Sequence, residues 1–163
     1  MAKRRAAPVC PYCSKDTVLL SGKDMYAHRP DLAEKQFWVC MPCDAYVGCE
    51  GKTTKPLGTP ANAELRSARM KLHNLRLDPL WQHAEQCGLY SPEDPKAIAI
   101  IRNTARVRVY AYLAWKLGLS REECHTAQFD ITECRRAWVA LRDIDYPFVR
   151  DWYKKRNPKK DAA

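Results

Sequence analysis

Cys10-Pro11-Tyr12-Cys13 and Cys40-Met41-Pro42-Cys43 are two Cys-x-x-Cys doublets with 26 residues between them. Each doublet fits the tight turn that aims two thiolates at one ion, and a strand hairpin between the doublets brings all four to a tetrahedral Zn2+. Zinc prefers thiolate ligands, and four of them leave no open coordination position. The expected job of the ion is therefore to hold the fold rather than to act as a Lewis acid. One structural Zn2+ on Cys10, Cys13, Cys40 and Cys43 is the expected cofactor. Reduced core cysteines are the alternative, but isolated core thiols have no reason to come in two such pairs. Cys49 is read as a packed thiol, because the doublets already supply four ligands.

The residues between Cys10 and Cys49 carry short strand-like pieces, Thr17-Val18-Leu19-Leu20, Met25-Tyr26 and Gln36-Phe37-Trp38-Val39, separated by Gly, Pro and Asp turn signals. That pattern is a small antiparallel β module. A connector over residues 50–59 (EGKTTKPLGT) leads into helical sequence. Thr59 as N-cap and Pro60 in the first turn predict a helix whose buried stripe is Ala61, Leu65, Ala68, Leu72 and Leu75. The stretch Tyr90-Ser91-Pro92-Glu93-Asp94-Pro95 opens a longer helix with Ile98, Ile101, Ala105, Val109, Tyr112 and Leu113 buried. Gly118 reads as its left-handed terminator. Ser120 with Glu123, and Asp130 with Glu133, have the form of capping boxes opening a short helix and a last one through Leu141. A short helix around residues 148–153 follows. The fold class expected is α+β, an N-terminal four-Cys zinc ribbon over residues 8–58 followed by an all-α domain of four or five helices over 59–153. Residues 1–7 and 154–163 read as mobile basic tails.

The chain has 163 residues, 46% of them apolar, with 28 Lys and Arg against 19 Asp and Glu, a net charge of +9. This is the composition of a folded domain, and the positive excess favours polyanionic partners. No run reaches the ~18 consecutive apolar residues of a membrane span. Eight cysteines without an export signal point to thiols and metal ligands in a reducing cytosol. Lys96, Arg102, Arg106, Arg108, Lys116 and Arg121 follow one another without an intervening acid. Arg102, Arg106, Arg108 and Lys116 are accordingly the expected phosphate-contacting residues, with the tails adding salt-sensitive affinity. Trp38 and Tyr46 flank the second doublet and are expected to stack on bases. Solvated helix faces and a small aromatic core are the plain alternatives. Cys124, His125 and Cys134, with Cys87, are candidates for a second metal site.

Enzyme readings have little support. His83-Ala84-Glu85 supplies the first half of a deaminase pattern, but no Pro-Cys-x-x-Cys pair follows it. No G-x-S-x-G, P-loop, dinucleotide fingerprint or H-E-x-x-H is present. His125 and Asp130 remain as an acid/base pair for a metal-dependent nuclease, against the simpler reading of Asp130 as an N-cap.

Longer blocks narrow the reading: CPYC, WVCMPCDAYVGC, PLGTPANAELRSARMKLHNLRLDPLW and AYLAWKLGLSREECHTAQFDITECRRAW. Over about residues 8–141 the chain resembles the phage and prophage zinc-finger-containing domain family, whose function is unknown. The resemblance implies ligands at Cys10, Cys13, Cys40 and Cys43. It aligns Asp44 to Cys49 with the step after the second doublet, and Cys124, His125, Phe129 and Asp130 with a Cys-His block. Thr126 and Ala127 depart from that block's Ile-Gly, which weakens a catalytic reading of the turn. The expectation is a small phage-encoded zinc protein of a bacterial cytoplasm that binds DNA or RNA. The second expectation is a module contacting a host transcription or defence protein, and the third is the nuclease.

Overall fold

The computed structural model describes residues 7–158. The chain forms two compact units: one is the chain up to Ser67 together with Ala127–Phe129, the other Ala68–Thr126 with the chain from Asp130 onward. The seam expected after residue 58 lies inside the first unit. Leu57 donates its amide to the Gly48 carbonyl, Thr59 donates to Ala127, and Ala61 exchanges both backbone bonds with Tyr46 at 3.0 Å. The connector is thereby an extra edge of the small sheet rather than a free linker.

That sheet has three antiparallel strands in the order β1 (Val18–Ser21), β2 (Gln36–Cys40), β3 (Ala45–Gly48). Val39 faces Tyr46 and Cys40 faces Ala45 across β2 and β3. Because side chains alternate, the two faces differ in chemistry. One carries Phe37 and Tyr46, which with Tyr26 form three edge-on ring contacts at 5.6–6.4 Å. The other carries Cys40 and Ala45, which pack with Cys10. The strand expected at Met25-Tyr26 is instead the end of a single helical turn, α1 (Gly22–Met25). Ser21 and Asp24 cap each other reciprocally at 3.2 and 3.3 Å, a local bonding choice that outcompetes extension.

Helix α2 (Ala63–Leu72) begins later than Thr59 and Pro60 suggest, with the Asn62 carboxamide accepting from the Leu65 amide at 3.0 Å. It runs into a π-helical turn, His73–Leu77. The wider turn moves the buried stripe from Leu72 to Leu77, while Leu75, expected inside, is 58% exposed. Helix α3 (Pro79–Gln82) and a 3-10 turn at Ala84–Gln86 precede the long α4 (Pro95–Leu117). Asp94 caps α4, and Gly118 terminates it at φ 71°, as the sequence predicts. Ala105, Val109, Tyr112 and Leu113 are buried; Ile98 and Ile101 are half-buried. Helix α5 (Ile131–Ala140) opens with the Asp130–Glu133 capping box. The Ser120–Glu123 box also forms, but encloses only a turn: it has no apolar stripe to propagate a helix. Helix α6 (Tyr146–Arg156) is capped by Asp145 and includes Lys154, Lys155 and Arg156, which the sequence reading assigned to a tail. Cations in a last helical turn are favoured by the helix dipole, so a basic run is no stop signal. In the second unit α4 packs against α3, α5 and α6. Tail residues 1–6 and 159–163 lie outside the described residues.

Candidate metal centre

Cys10, Cys13, Cys40 and Cys43 bring their four Sγ atoms within 4.8 Å of one another. A Zn–S bond of about 2.3 Å implies S···S edges of roughly 3.8 Å in a tetrahedron, and Cys13 and Cys40 stand 3.5 Å apart. Cys10 and Cys40 are buried, whereas Cys13 and Cys43 reach the surface. Both doublets are followed by a residue in the left-handed region, Ser14 at φ 59° and Asp44 at φ 46°. That turn folds the chain back after each second cysteine. In the first doublet Cys10 anchors it, its amide donating to the Lys15 carbonyl at 2.8 Å and its carbonyl accepting from the Ser14 amide at 2.9 Å. In the second, Arg66 holds Asp44, donating to its carbonyl at 2.7 Å and to Oδ2 at 3.1 Å. Asp is among the few non-Gly residues that adopt this conformation routinely.

The thiols show why the cluster calls for a cation. Burial pushes the Cys10 thiol up, but the backbone amides of Tyr12 and Cys13 and the neighbouring thiols of Cys40 and Cys13 carry it down to about 7. Cys43 is pushed up to about 12, first by its hydrogen bond with Cys13 and then by burial. Burial also raises Cys40. One thiolate forms readily, and its charge opposes the next ionisations. A divalent ion reverses that repulsion, and the all-sulfur donor set fits zinc.

The chain matches the zinc-finger-containing domain family over residues 6–93, more than half of its length. It belongs to that family. The four close cysteines are the ligands of one structural Zn2+. The match ends before the Cys124-His125 block on which part of the sequence resemblance rested. No curated protein and no solved structure matches the chain. No helix among the described residues is long and apolar enough to cross a membrane.

The second metal site is not assembled. Among the described residues the four ribbon cysteines are the one such group of three or more metal-type side chains. Cys124 is buried with its thiol pushed up to about 11 by burial, and burial raises Cys134 as well. Both are packed thiols, while His125 is exposed. Asp130 accepts from the Glu133 amide at 2.7 Å as an N-cap.

The expected phosphate-contacting residues divide. Arg108 is 8% exposed and donates from Nη1 to the Tyr146 hydroxyl at 3.2 Å. Arg102 is committed to Glu85, which its Nε reaches at 2.9 Å. The burial of Arg108 follows from helical period: Ala105, Arg108, Val109 and Tyr112 share the buried side of α4. Arg106 and Lys116 remain exposed. Tyr46 is no open platform, since Tyr26 donates to its hydroxyl at 2.6 Å and the Arg66 guanidinium covers its ring at 4.0 Å. Trp38 is half-buried, and its Nε1 donates to the Thr54 carbonyl at 2.8 Å.

The exposed tryptophan carries no signal in the sequence that joins it to its cations. Trp115 is 47% exposed, with the Arg156 guanidinium 4.4 Å and the Lys116 ammonium 5.4 Å from its ring. Beside it, a groove of about 590 Å³ is lined by Lys116, Arg135, Arg136, Asp143 and the apolar Leu117, Val139 and Ile144. Trp115 and Arg156 are 41 positions apart in sequence, and no spacing rule joins them.

Proposed function

We propose that this zinc-stabilised protein binds nucleic acid through the Trp115 surface of its helical unit. The observation that carries the reading is Trp115, half-exposed and framed by Lys116 and Arg156. The half-exposed indole and the guanidinium lying over its ring together offer a surface on which a base can stack, and the two cations supply charge for the flanking phosphates. Arg135 and Arg136 line the adjoining groove with Asp143, whose carboxylate pairs with Arg142 at 3.1 Å while Arg136 keeps one donor on the Leu117 carbonyl at 2.8 Å, and the net charge of +9 favours a polyanion. The zinc ribbon is the structural module of this reading. Its reduced, metal-bound cysteines suit a cytoplasmic setting, and the resemblance to phage and prophage chains favours an accessory role in a bacterium carrying such an element.

A protein partner is the second reading, favoured by the exposure of Val139 and Phe148, at 63% and 50%. Salt separates the two. Fluorescence anisotropy of the zinc-loaded chain with single- and double-stranded DNA and RNA, at two salt concentrations, should show binding that weakens steeply with salt. Trp115→Ala should weaken single-strand binding by about tenfold, the ~1–3 kcal/mol of one stacked base. Lys116→Ala/Arg156→Ala should flatten the salt slope. Absence of binding to all four probes at low salt rejects the proposal.

A further inference from the structure

The α4 helix carries a second cationic feature on the other side of its Val107 position. Arg106, Tyr110, Arg121 and His125 line a pocket of about 310 Å³, completed by Val107 and Cys124. We infer that this pocket binds a phosphomonoester dianion, with Arg106 and Arg121 as its principal ligands.

Both guanidiniums are held before a ligand arrives. Arg106 lies 5.4 Å from the Trp81 ring and 5.7 Å from that of Tyr110, which restricts its plane. Arg121 donates from Nη1 to the Val107 carbonyl at 2.7 Å, and this tether leaves the rest of its donor fork for a second acceptor. His125 adds an exposed imidazole from the loop beyond Arg121.

Nothing lining the pocket opposes a dianion. Its walls contain no carboxylate. Burial raises the Tyr110 phenol, whose hydroxyl hydrogen-bonds with Arg106 and Thr126, and burial keeps the Cys124 thiol neutral. Asp78, whose charge is felt by Tyr110, is already engaged by His73 Nδ1 and Trp81 Nε1, each at 3.2 Å, and Glu133, whose charge is felt by Cys124, accepts from the Asp130 amide at 2.9 Å. Glu123 is occupied in its capping box with Ser120. A monoester fits better than a backbone diester because it presents three terminal oxygens and up to two charges, matching two guanidiniums and further donors. Its source is either the end of a nucleic-acid strand or a free mononucleotide.

The test titrates the zinc-loaded full chain, followed by amide and arginine side-chain NMR. The probes are inorganic phosphate, a nucleoside 5′-monophosphate, and one short oligonucleotide with either a 5′-phosphate or a 5′-hydroxyl. Phosphate-bearing probes should shift Arg106, Tyr110 and Arg121 resonances, while chloride at equal ionic strength should not. A 5′-phosphate should tighten oligonucleotide binding about tenfold, as for one charge-assisted bidentate contact, if the source is a strand end. A mononucleotide that binds as tightly as the oligonucleotide assigns the pocket to free nucleotides. Arg121→Ala and Arg106→Gln, each checked for native helicity, should both abolish the shifts. Shifts absent with every phosphate probe, or unchanged in both variants, overturn the inference. If the 5′-hydroxyl strand binds through Trp115 and the 5′-phosphate adds nothing while the free probes are silent, the pocket is rejected and the nucleic-acid reading stands.

Discussion

Glu85 accepts hydrogen bonds from the Arg102 guanidinium through both carboxylate oxygens, one of them from Nε at 2.9 Å, although only 7% of its side chain reaches solvent. The pair joins the 3-10 turn at Ala84–Gln86 to α4, 17 positions apart. The Arg102 guanidinium beside it holds the Glu85 carboxyl at about 2, well below the usual carboxylate range. A buried carboxylate without a partner would be strongly destabilising. Arg102 is a structural cation first.

This pair sets a pH dependence. Because the folded-state value of Glu85 is depressed, its contribution is present above the unfolded-state value of about 4.3 and is lost as pH falls from there toward about 2. Glu85→Gln should therefore lower Tm at neutral pH, and the gap between variant and parent should close over that acidic window. Melting curves from pH 7 down to 2 measure it. A gap that stays constant across the window would show that the charge is not what matters.

The parts of this molecule that were legible in its sequence are those with local spacing. The cysteine doublets, the Asp130–Glu133 box and Gly118 each depend on residues a few positions apart, and each forms as read. The π turn at His73–Leu77 was not legible, because one residue of extra width leaves no mark in composition while it exchanges Leu75 for Leu77 in the core. The basic run of α4 was misleading for a related reason. Charge is read along the chain, but whether an arginine meets water depends on what packs against it, and Tyr146 and Glu85 come from distant segments.

Zinc content and ribbon order should rise and fall together. The purified chain should contain one Zn2+ per molecule by elemental analysis, and Cys124→Ser/Cys134→Ser should still contain one. Cys43→Ser, or removal of the ion by a strong chelator, should collapse the dispersed resonances of β1 to β3, since structural zinc supplies about 10–16 kcal/mol in isolated fingers. Two ions per chain would restore the second site that the packed thiols argue against.

Two glycines of the first unit have no room for a methyl group. A Cβ on Gly22 would stand 1.7 Å from the Leu32 carbonyl oxygen, and one on Gly58 would stand 2.0 Å from that of Ala127. Backbone must move in either case, so Gly22→Ala and Gly58→Ala should each destabilise their unit by about 3 kcal/mol or more. Gly118→Ala meets nothing within 4 Å and bears only its positive φ, for a loss of about 1 kcal/mol. Urea denaturation of the three variants gives the order, and equal effects at Gly58 and Gly118 would contradict it.

Tyr146 separates the buried arginine of α4 from the surface ones. Its hydroxyl accepts from Arg108 at 3.2 Å and lies 3.2 Å from that of Tyr90, whose ring stacks on its own at 6.4 Å. Tyr146→Phe keeps the ring and removes the acceptor, leaving a buried guanidinium with one bond fewer. The expected loss is roughly 1.5–3 kcal/mol, that of a hydrogen bond to a charged group. Nucleic-acid affinity, measured where the variant is fully folded, should be unchanged, because Arg108 does not reach the surface that carries Trp115 and Arg156. Denaturation and anisotropy on the same sample read both effects. A variant that keeps its stability but loses affinity would return Arg108 to the binding face and displace Trp115 as its centre.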